Sequence, residues 1–119
     1  MELLEAYDVE TPEATLSSSA AEAAEAAERF TRNAALKVAS PTLEHKTDVG
    51  GVAVDVSPED VAATYEGLIE TVERNAPSAD VRGVYVQEMT PDGVECLVGV
   101  ARHPRFGPLV TFGLGEVLV

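Results

Sequence analysis

The chain has 119 residues, enough for one modest core and too few for two independent ones. Its hydrophobic share of 45% excludes a disordered tail, and its formal net charge of −13 argues against nucleic acid or an anionic membrane as a general partner. There is no run of about 18 apolar residues to cross a membrane, the opening MELLEAYDVETPE has neither the basic nor the apolar region of a signal peptide, and the one cysteine, Cys96, suits a reducing cytoplasm.

In chain order, residues 2–6 make a short helical turn, Pro12 interrupts, and Glu13–Ser17 reads as a short strand. Ser19 followed three residues later by Glu22 is a capping-box pattern opening an alanine-rich helix that runs to Phe30. Glu22, Glu25 and Glu28 form its solvated stripe. Ala34–Ala39 is a strand with a lysine, Lys37, in its middle, ended by Ser40-Pro41. A loop, Thr42–Gly50, leads into an alternating strand, Gly51–Val56. Ser57-Pro58-Glu59-Asp60 reads as a helix start with Ser57 as cap. Val61, Tyr65, Leu68, Ile69 and Val72 then form one apolar stripe, and Asn75-Ala76-Pro77 ends the helix. Val81–Met89 is a strand, Thr90–Gly93 a tight turn, and Val94–Ala101 its hairpin partner. Arg102–Pro108 reads as a loop, Leu109–Phe112 as a last apolar strand, and Gly113–Gly115 as a break. The mixture with a hairpin predicts an α+β fold with a mainly antiparallel sheet. The apolar run ending at Val119 without a closing element looks like one lobe of something larger.

Acid excess with lysine depletion is a composition suited to a high-salt cytoplasm, where self-repulsion is screened. Lysine survives only at Lys37 and Lys46, and Lys46 stands beside His45. A compact ammonium suits a phosphate, and Gly50-Gly51 lets backbone approach an anion. No GxxxxGK[ST] motif is present, so this is not a Walker loop. His45 has no cysteine or second histidine at ligand spacing, which argues against a metal. Surface residue, acid–base group and covalent carrier all stay open for it on pattern alone. Glu88 and Glu95 flank the 90–93 turn, and Arg102–Arg105 is a basic knot that could meet an anion, a partner subunit or local carboxylates.

Three stretches carry a resemblance: LLEAYDVETPEA, LKVASPTLEHKTDVGGV and GVYVQEMTPDGVECLVGVARHPRFGPLVTFGLG. Together they resemble the ATP-grasp subunit of the nucleoside-diphosphate-forming acyl-CoA synthetases, of which ADP-forming acetate–CoA ligase is the type. The resemblance covers essentially the whole chain. It implies an ATP-grasp fold, with residues 1–87 as part of the first lobe and 88–119 as the hinge and first strands of the second. It implies the reaction acyl-CoA + ADP + phosphate = acid + CoA + ATP, run through phosphohistidine. His45 would be the phosphoryl carrier and Lys46 its charge neutraliser. Lys37 would reach the nucleotide phosphates, aided by Gly50 and Gly51. Gln87, Glu88 and Met89 would form the adenine-facing hinge, and Glu95 would hold the ribose. The carrier loop would swing between two sites, hinged at Gly50-Gly51. ATP or ADP and Mg²⁺ are the implied cofactors, with metal ligands beyond residue 119 and none in this chain. A CoA-binding subunit or domain is the implied partner. Two departures stand out: Thr31–Leu36 lacks the family's Gly-aromatic-Pro-Val-Val approach to the lysine, and Gly115-Glu116 replaces a glycine pair. A regulatory module of an acyl-CoA-synthetase-like protein acetyltransferase, or a silent module that only holds a partner, would share these motifs.

Overall fold

The computed structural model describes residues 2–115 and 117–118, with side chains from residue 3 to residue 115. The elements are α1 (Glu2–Ala6), β1 (Ala14–Ser17), α2 (Ala20–Ala27), β2 (Ala34–Ala39), β3 (Val52–Val56), α3 (Val61–Asn75), β4 (Gly83–Glu88), β5 (Cys96–His103), β6 (Gly107–Leu114) and β7 (Val117–Leu118). They form two sheets, ordered β1-β4-β2-β3 and β5-β6-β7, and every pairing is antiparallel. The class is α+β, as the pattern implied.

The core lies on one face of the first sheet. Strand alternation turns Leu36 and Val38 of β2 and Val84 and Val86 of β4 onto that face, all with no exposed surface. Ala23, Ala26 and Ala27 of α2 and Val61, Tyr65, Leu68 and Val72 of α3 pack onto them. Each fully buried Val or Leu contributes about 1.5–3 kcal/mol, so this is where stability resides. The slim alanine face of α2 lets that helix lie close to β1 and β4.

At the start of α2, Ser19 Oγ accepts from the Glu22 N–H at 3.2 Å, as the capping pattern requires. The Glu22 carboxylate reaches back to Ser18, whose N–H and hydroxyl both donate to it at 2.8 Å. Those bonds, led by the backbone one, hold the Glu22 carboxyl below the usual glutamate range.

Five expectations are corrected. The helix ends at Ala27, not Phe30; the Phe30 N–H turns back to the Ala27 carbonyl at 3.0 Å. Ser57 opens a 3-10 turn, Pro58–Asp60, instead of capping α3, and its hydroxyl donates to Asp60 Oδ2 at 2.9 Å. The hairpin is not 81–89 with 94–101. β4 has β1 on one edge and β2 on the other, so it has no free edge for β5. β5 pairs with β6 instead, in a register running from Cys96↔Leu114 to His103↔Gly107, and Pro104–Phe106 forms the turn. Arg102 and His103 are therefore strand residues, and the His103 ring accepts the Arg105 N–H at 3.1 Å. Gly113 continues β6 opposite Leu97; the chain turns at Gly115, where φ is +63°.

Candidate functional site

The face of the first sheet opposite the helices is open, and the chemistry-bearing residues meet there. Lys37 is the exposed member of β2, an interior strand. It lies opposite Tyr85 of β4 and Val52 of β3. Gln87 follows Tyr85 on the same face at the two-residue period. Lys37, Tyr85 and Gln87 line a cleft of about 560 Å³ together with Glu5, Thr11 and Glu13. Thr11 Oγ1 donates to Glu5 Oε1 at 3.0 Å, tying α1 to the segment that enters β1.

The loop after β2 is fastened at both ends. At its start Ser40 and Thr42 share a hydroxyl hydrogen bond of 3.0 Å, and the Asp80 N–H donates to Thr42 Oγ1 at 3.0 Å. Leu43 and Val49 pack against the core. At its end Lys46–Val49 forms a 3-10 turn closed by Gly50 at φ +74°. Asn75 Nδ2 donates to the Val49 carbonyl at 3.2 Å, and the Gly51 N–H donates to the Lys46 carbonyl at 2.7 Å. His45 stands exposed between the two anchored ends, with its carbonyl taking the Asp48 N–H at 3.2 Å. Lys46 turns toward a second cleft, of about 420 Å³, which borders Tyr85 on the other side from Lys37.

Gly50 and Gly51 have a packing role in this arrangement. A Cβ on Gly50 would lie 2.6 Å from Thr71 Cγ2, and one on Gly51 would lie 3.0 Å from the Lys46 carbonyl oxygen. The pair forms a close-packed corner, Gly50 against α3 and Gly51 against the 3-10 turn.

The structure brings Lys37 and Gln87 together and sets Lys46 in the adjoining cleft. It places Glu88 elsewhere. Glu88 follows Val86 on the helix side of β4, and its Oε1 accepts from the Thr31 N–H (2.8 Å), the Thr31 hydroxyl (3.1 Å) and the Arg32 N–H (2.9 Å). These bonds, the Arg32 backbone one foremost, hold the Glu88 carboxyl below its ordinary range. The Met89 N–H donates to the Asn33 carbonyl at 2.9 Å. Glu95 is exposed just before β5, and its carbonyl accepts the Gly115 N–H at 2.7 Å. The sequence reading did not single out Tyr85 or Arg82, which share the clefts with the two lysines. Alternation against the buried Val84 and Val86 was the available signal for Tyr85. Among the described residues no group of three or more His, Cys, Asp or Glu side chains could hold a metal ion.

Comparison with known proteins decides the family. The ATP-grasp domain model matches residues 1–119. The chain belongs to the ATP-grasp family. An ADP-forming acetate–CoA ligase of Archaeoglobus fulgidus is 39% identical over 117 residues, 98% of this chain and 17% of that protein. The beta subunit of ADP-forming acetate–CoA ligase I of Pyrococcus furiosus is 33% identical over 99% of this chain and 51% of that subunit. Among solved structures, an acetyl-coenzyme A synthetase of Candidatus Korarchaeum cryptofilum in complex with coenzyme A and Ca-AMPCP superposes with a TM-score of 0.87 at 41% identity, covering 98% of this chain and 52% of that one. A second structure of that enzyme, with its phosphohistidine segment phosphorylated, gives 0.80 at 38% identity, over 98% of this chain and 50% of that one. The ATP-grasp chain described here thus spans about half the length of the beta subunit and of the structural relatives. No helix among its described residues is long and apolar enough to cross a membrane.

Proposed function

We propose that this ATP-grasp chain binds ATP or ADP and carries phosphohistidine within an ADP-forming acyl-CoA ligase of the acetate–CoA type, running acyl-CoA + ADP + phosphate = acid + CoA + ATP. The observation that carries the proposal is His45 itself. It is exposed on a loop fastened at both ends, beside an open sheet face that presents Lys37. In a solved acetyl-coenzyme A synthetase of Candidatus Korarchaeum cryptofilum the phosphohistidine segment points towards the nucleotide-binding site, which is the movement proposed for the His45 loop.

In this reading a ring nitrogen of His45 attacks the phosphorus of an acyl phosphate held by the CoA-binding subunit or domain; the P–N bond forms as the acyl P–O bond breaks, and the acid leaves as its carboxylate. A β-phosphate oxygen of ADP then attacks that phosphorus, the P–N bond breaks, and His45 is returned with ATP formed. Such transfers depend on positioning and charge neutralisation. Lys37, on an interior strand, supplies a fixed cation for nucleotide phosphates, and Lys46 travels with His45. Gln87 shares the Lys37 cleft and belongs to the nucleotide site, with Gly50 and Gly51 shaping the loop end nearby. The hinge contacts with adenine come from groups of 87–89 other than the Glu88 carboxylate, engaged by Thr31 and Arg32, and the Met89 N–H, engaged by the Asn33 carbonyl. Glu95 remains the candidate for the ribose. Among the described residues no group of three or more His, Cys, Asp or Glu side chains is placed to hold a metal ion, and in this reading the Mg²⁺ that accompanies the nucleotide is held by residues beyond 119. Residues 1–87 belong to the first lobe, and 88–119 are the hinge and first strands of the second. The location is cytoplasmic, in a salt-adapted cell.

The test is to incubate the holoenzyme with labelled ATP and Mg²⁺ and to look for an acid-labile, base-stable phosphate on His45. Labelling of the parent and none in His45→Asn supports the reading. An unlabelled parent, or a variant that labels equally, overturns it.

A further inference from the structure

The cleft beside Lys46 carries a residue without an assigned role. In a chain of net charge −13, this cleft of about 420 Å³ is lined by two cations, Lys46 and Arg82, and by no carboxylate. The Lys37 cleft, by contrast, includes Glu5 and Glu13. Arg82 is anchored through its backbone, and its exposed side chain pairs with the exposed Asp80 carboxylate. Its backbone N–H donates to the Ala39 carbonyl at 2.8 Å, fixing it at the end of β2 where the loop departs. Its Nε and Nη2 both lie 3.3 Å from a single oxygen, Asp80 Oδ2, which leaves Nη1 outside the pair. The Asp80 N–H also donates to Thr42 Oγ1, so one residue orients the guanidinium and tethers the base of the His45 loop.

We infer that the Lys46–Arg82 cleft is an oxyanion site that receives the phosphoryl group of phosphorylated His45 when the loop lies against its own sheet. The inference rests on the phosphocarrier reading above. His45 is adjacent in sequence to Lys46, and its own side chain makes no cap hydrogen bond to the 3-10 turn that follows it. The ring is therefore not pinned to that turn, and the inference requires it to rotate toward the cleft that Lys46 lines. A guanidinium with free N–H groups matches a phosphoryl oxygen pair in geometry, and Lys46 adds a point charge. Without these cations a phosphoryl group of about −1.5 to −2 charge would meet only the repulsion of an acidic surface, including Glu44 and Asp48 of the same loop.

The experiment is a ³¹P NMR pH titration of the phosphorylated holoenzyme, following the phosphohistidine resonance. Contact with cations favours the more charged form and lowers the titration midpoint. Arg82→Gln is expected to raise that midpoint by about 0.5–1 pH unit, a roughly three- to tenfold loss of preference for the dianion. Arg82→Lys should retain most of the parent value. Asp80→Asn, which frees the guanidinium from its carboxylate, should lower the midpoint; a purely structural contribution of the pair would not move the two variants in opposite directions. Equal midpoints in the parent and Arg82→Gln overturn the inference while leaving phosphorylation of His45 standing. If Arg82→Gln fails to fold, Asp80→Asn decides alone, an unchanged or raised midpoint overturning it. Absence of any phosphohistidine resonance in the parent overturns both.

Discussion

Lys37 shows how much a single position can carry. It is exposed on an otherwise buried strand, with Leu36 and Val38 fully buried on either side. Replacing it by alanine removes charge from the open face and nothing from the core. Lys37→Ala is therefore expected to raise the Kd for ADP about tenfold or more, with the urea midpoint of unfolding unchanged. Unchanged ADP affinity in a calorimetric titration would remove it from the nucleotide site. Alternation alone made that orientation legible in the sequence. The glycine doublet was legible only as a pattern. What makes Gly50 necessary is its +74° φ together with Thr71 Cγ2, 2.6 Å from where a Cβ would be, and no sequence rule connects residues 50 and 71. Gly50→Ala should cost about 1–3 kcal/mol of stability by denaturant unfolding. Gly67, within α3 and with nothing within 4 Å of a built Cβ, provides the control: Gly67→Ala should stabilise by about 0.5–1 kcal/mol. If both changes destabilise alike, the contact with Thr71 is not the cause.

At the scale of elements, the end of β4 is held by the segment that leads into β2. Glu88 accepts three hydrogen bonds from Thr31 and Arg32, the Met89 N–H bonds to the Asn33 carbonyl, and Asn33 Nδ2 donates to Asp55 Oδ1 at 2.8 Å. Asp55 needs such a partner, since it sits at φ +56° in the left-handed region, next to an irregularity in the β2–β3 pairing. This network fixes the direction in which the chain leaves the first sheet. The Glu88 carboxyl is held below its ordinary range, so its contribution to stability is present above about pH 4.3, the unfolded value, and fades as the pH falls through the lower folded value. Glu88→Gln should thus be less stable than the parent at pH 6–7, and the gap should close below about pH 4. A gap of equal size at pH 3 and pH 7 in denaturant melts would show that the charge is not what matters. None of this was visible beforehand, because Thr31 and Glu88 lie 57 positions apart. The same distance problem explains the misplaced hairpin. Thr90-Pro91-Asp92-Gly93 has good turn chemistry, but local chemistry does not report that both edges of β4 are already taken by β1 and β2.

Across the whole molecule the two sheets differ in kind. The first carries helices and the buried core, while Val98, Val100, Val110 and Phe112 of the second are each more than half exposed. The Cα radius of gyration, 16.6 Å, exceeds the value of about 13.5 Å expected for a compact domain of this length, as a projecting hairpin requires. The element order and the α+β class were readable from periodicity; which sheet each strand joins was not, because pairing is a choice among distant partners. Charge follows a different logic, since it is fully legible in composition and depends little on the fold. Among the described residues only Arg82 and Asp80 form an ion pair, so the 21 acids are not neutralised by a network of partners. Their mutual repulsion opposes the compact state, and it is screened as the Debye length falls from about 10 Å at 0.1 M salt to about 3 Å at 1 M. A surface stabilised by ion pairs would weaken under the same screening. The melting temperature should therefore rise by several degrees between 0.1 and 1 M KCl, a salt chosen because it lacks the strong exclusion effect of sulfate. Most of the rise should come at the lower concentrations, where the Debye length changes fastest. Calorimetric scans across that range give the answer: a flat or falling melting temperature would mean that self-repulsion is not limiting and would remove the physical basis for salt adaptation.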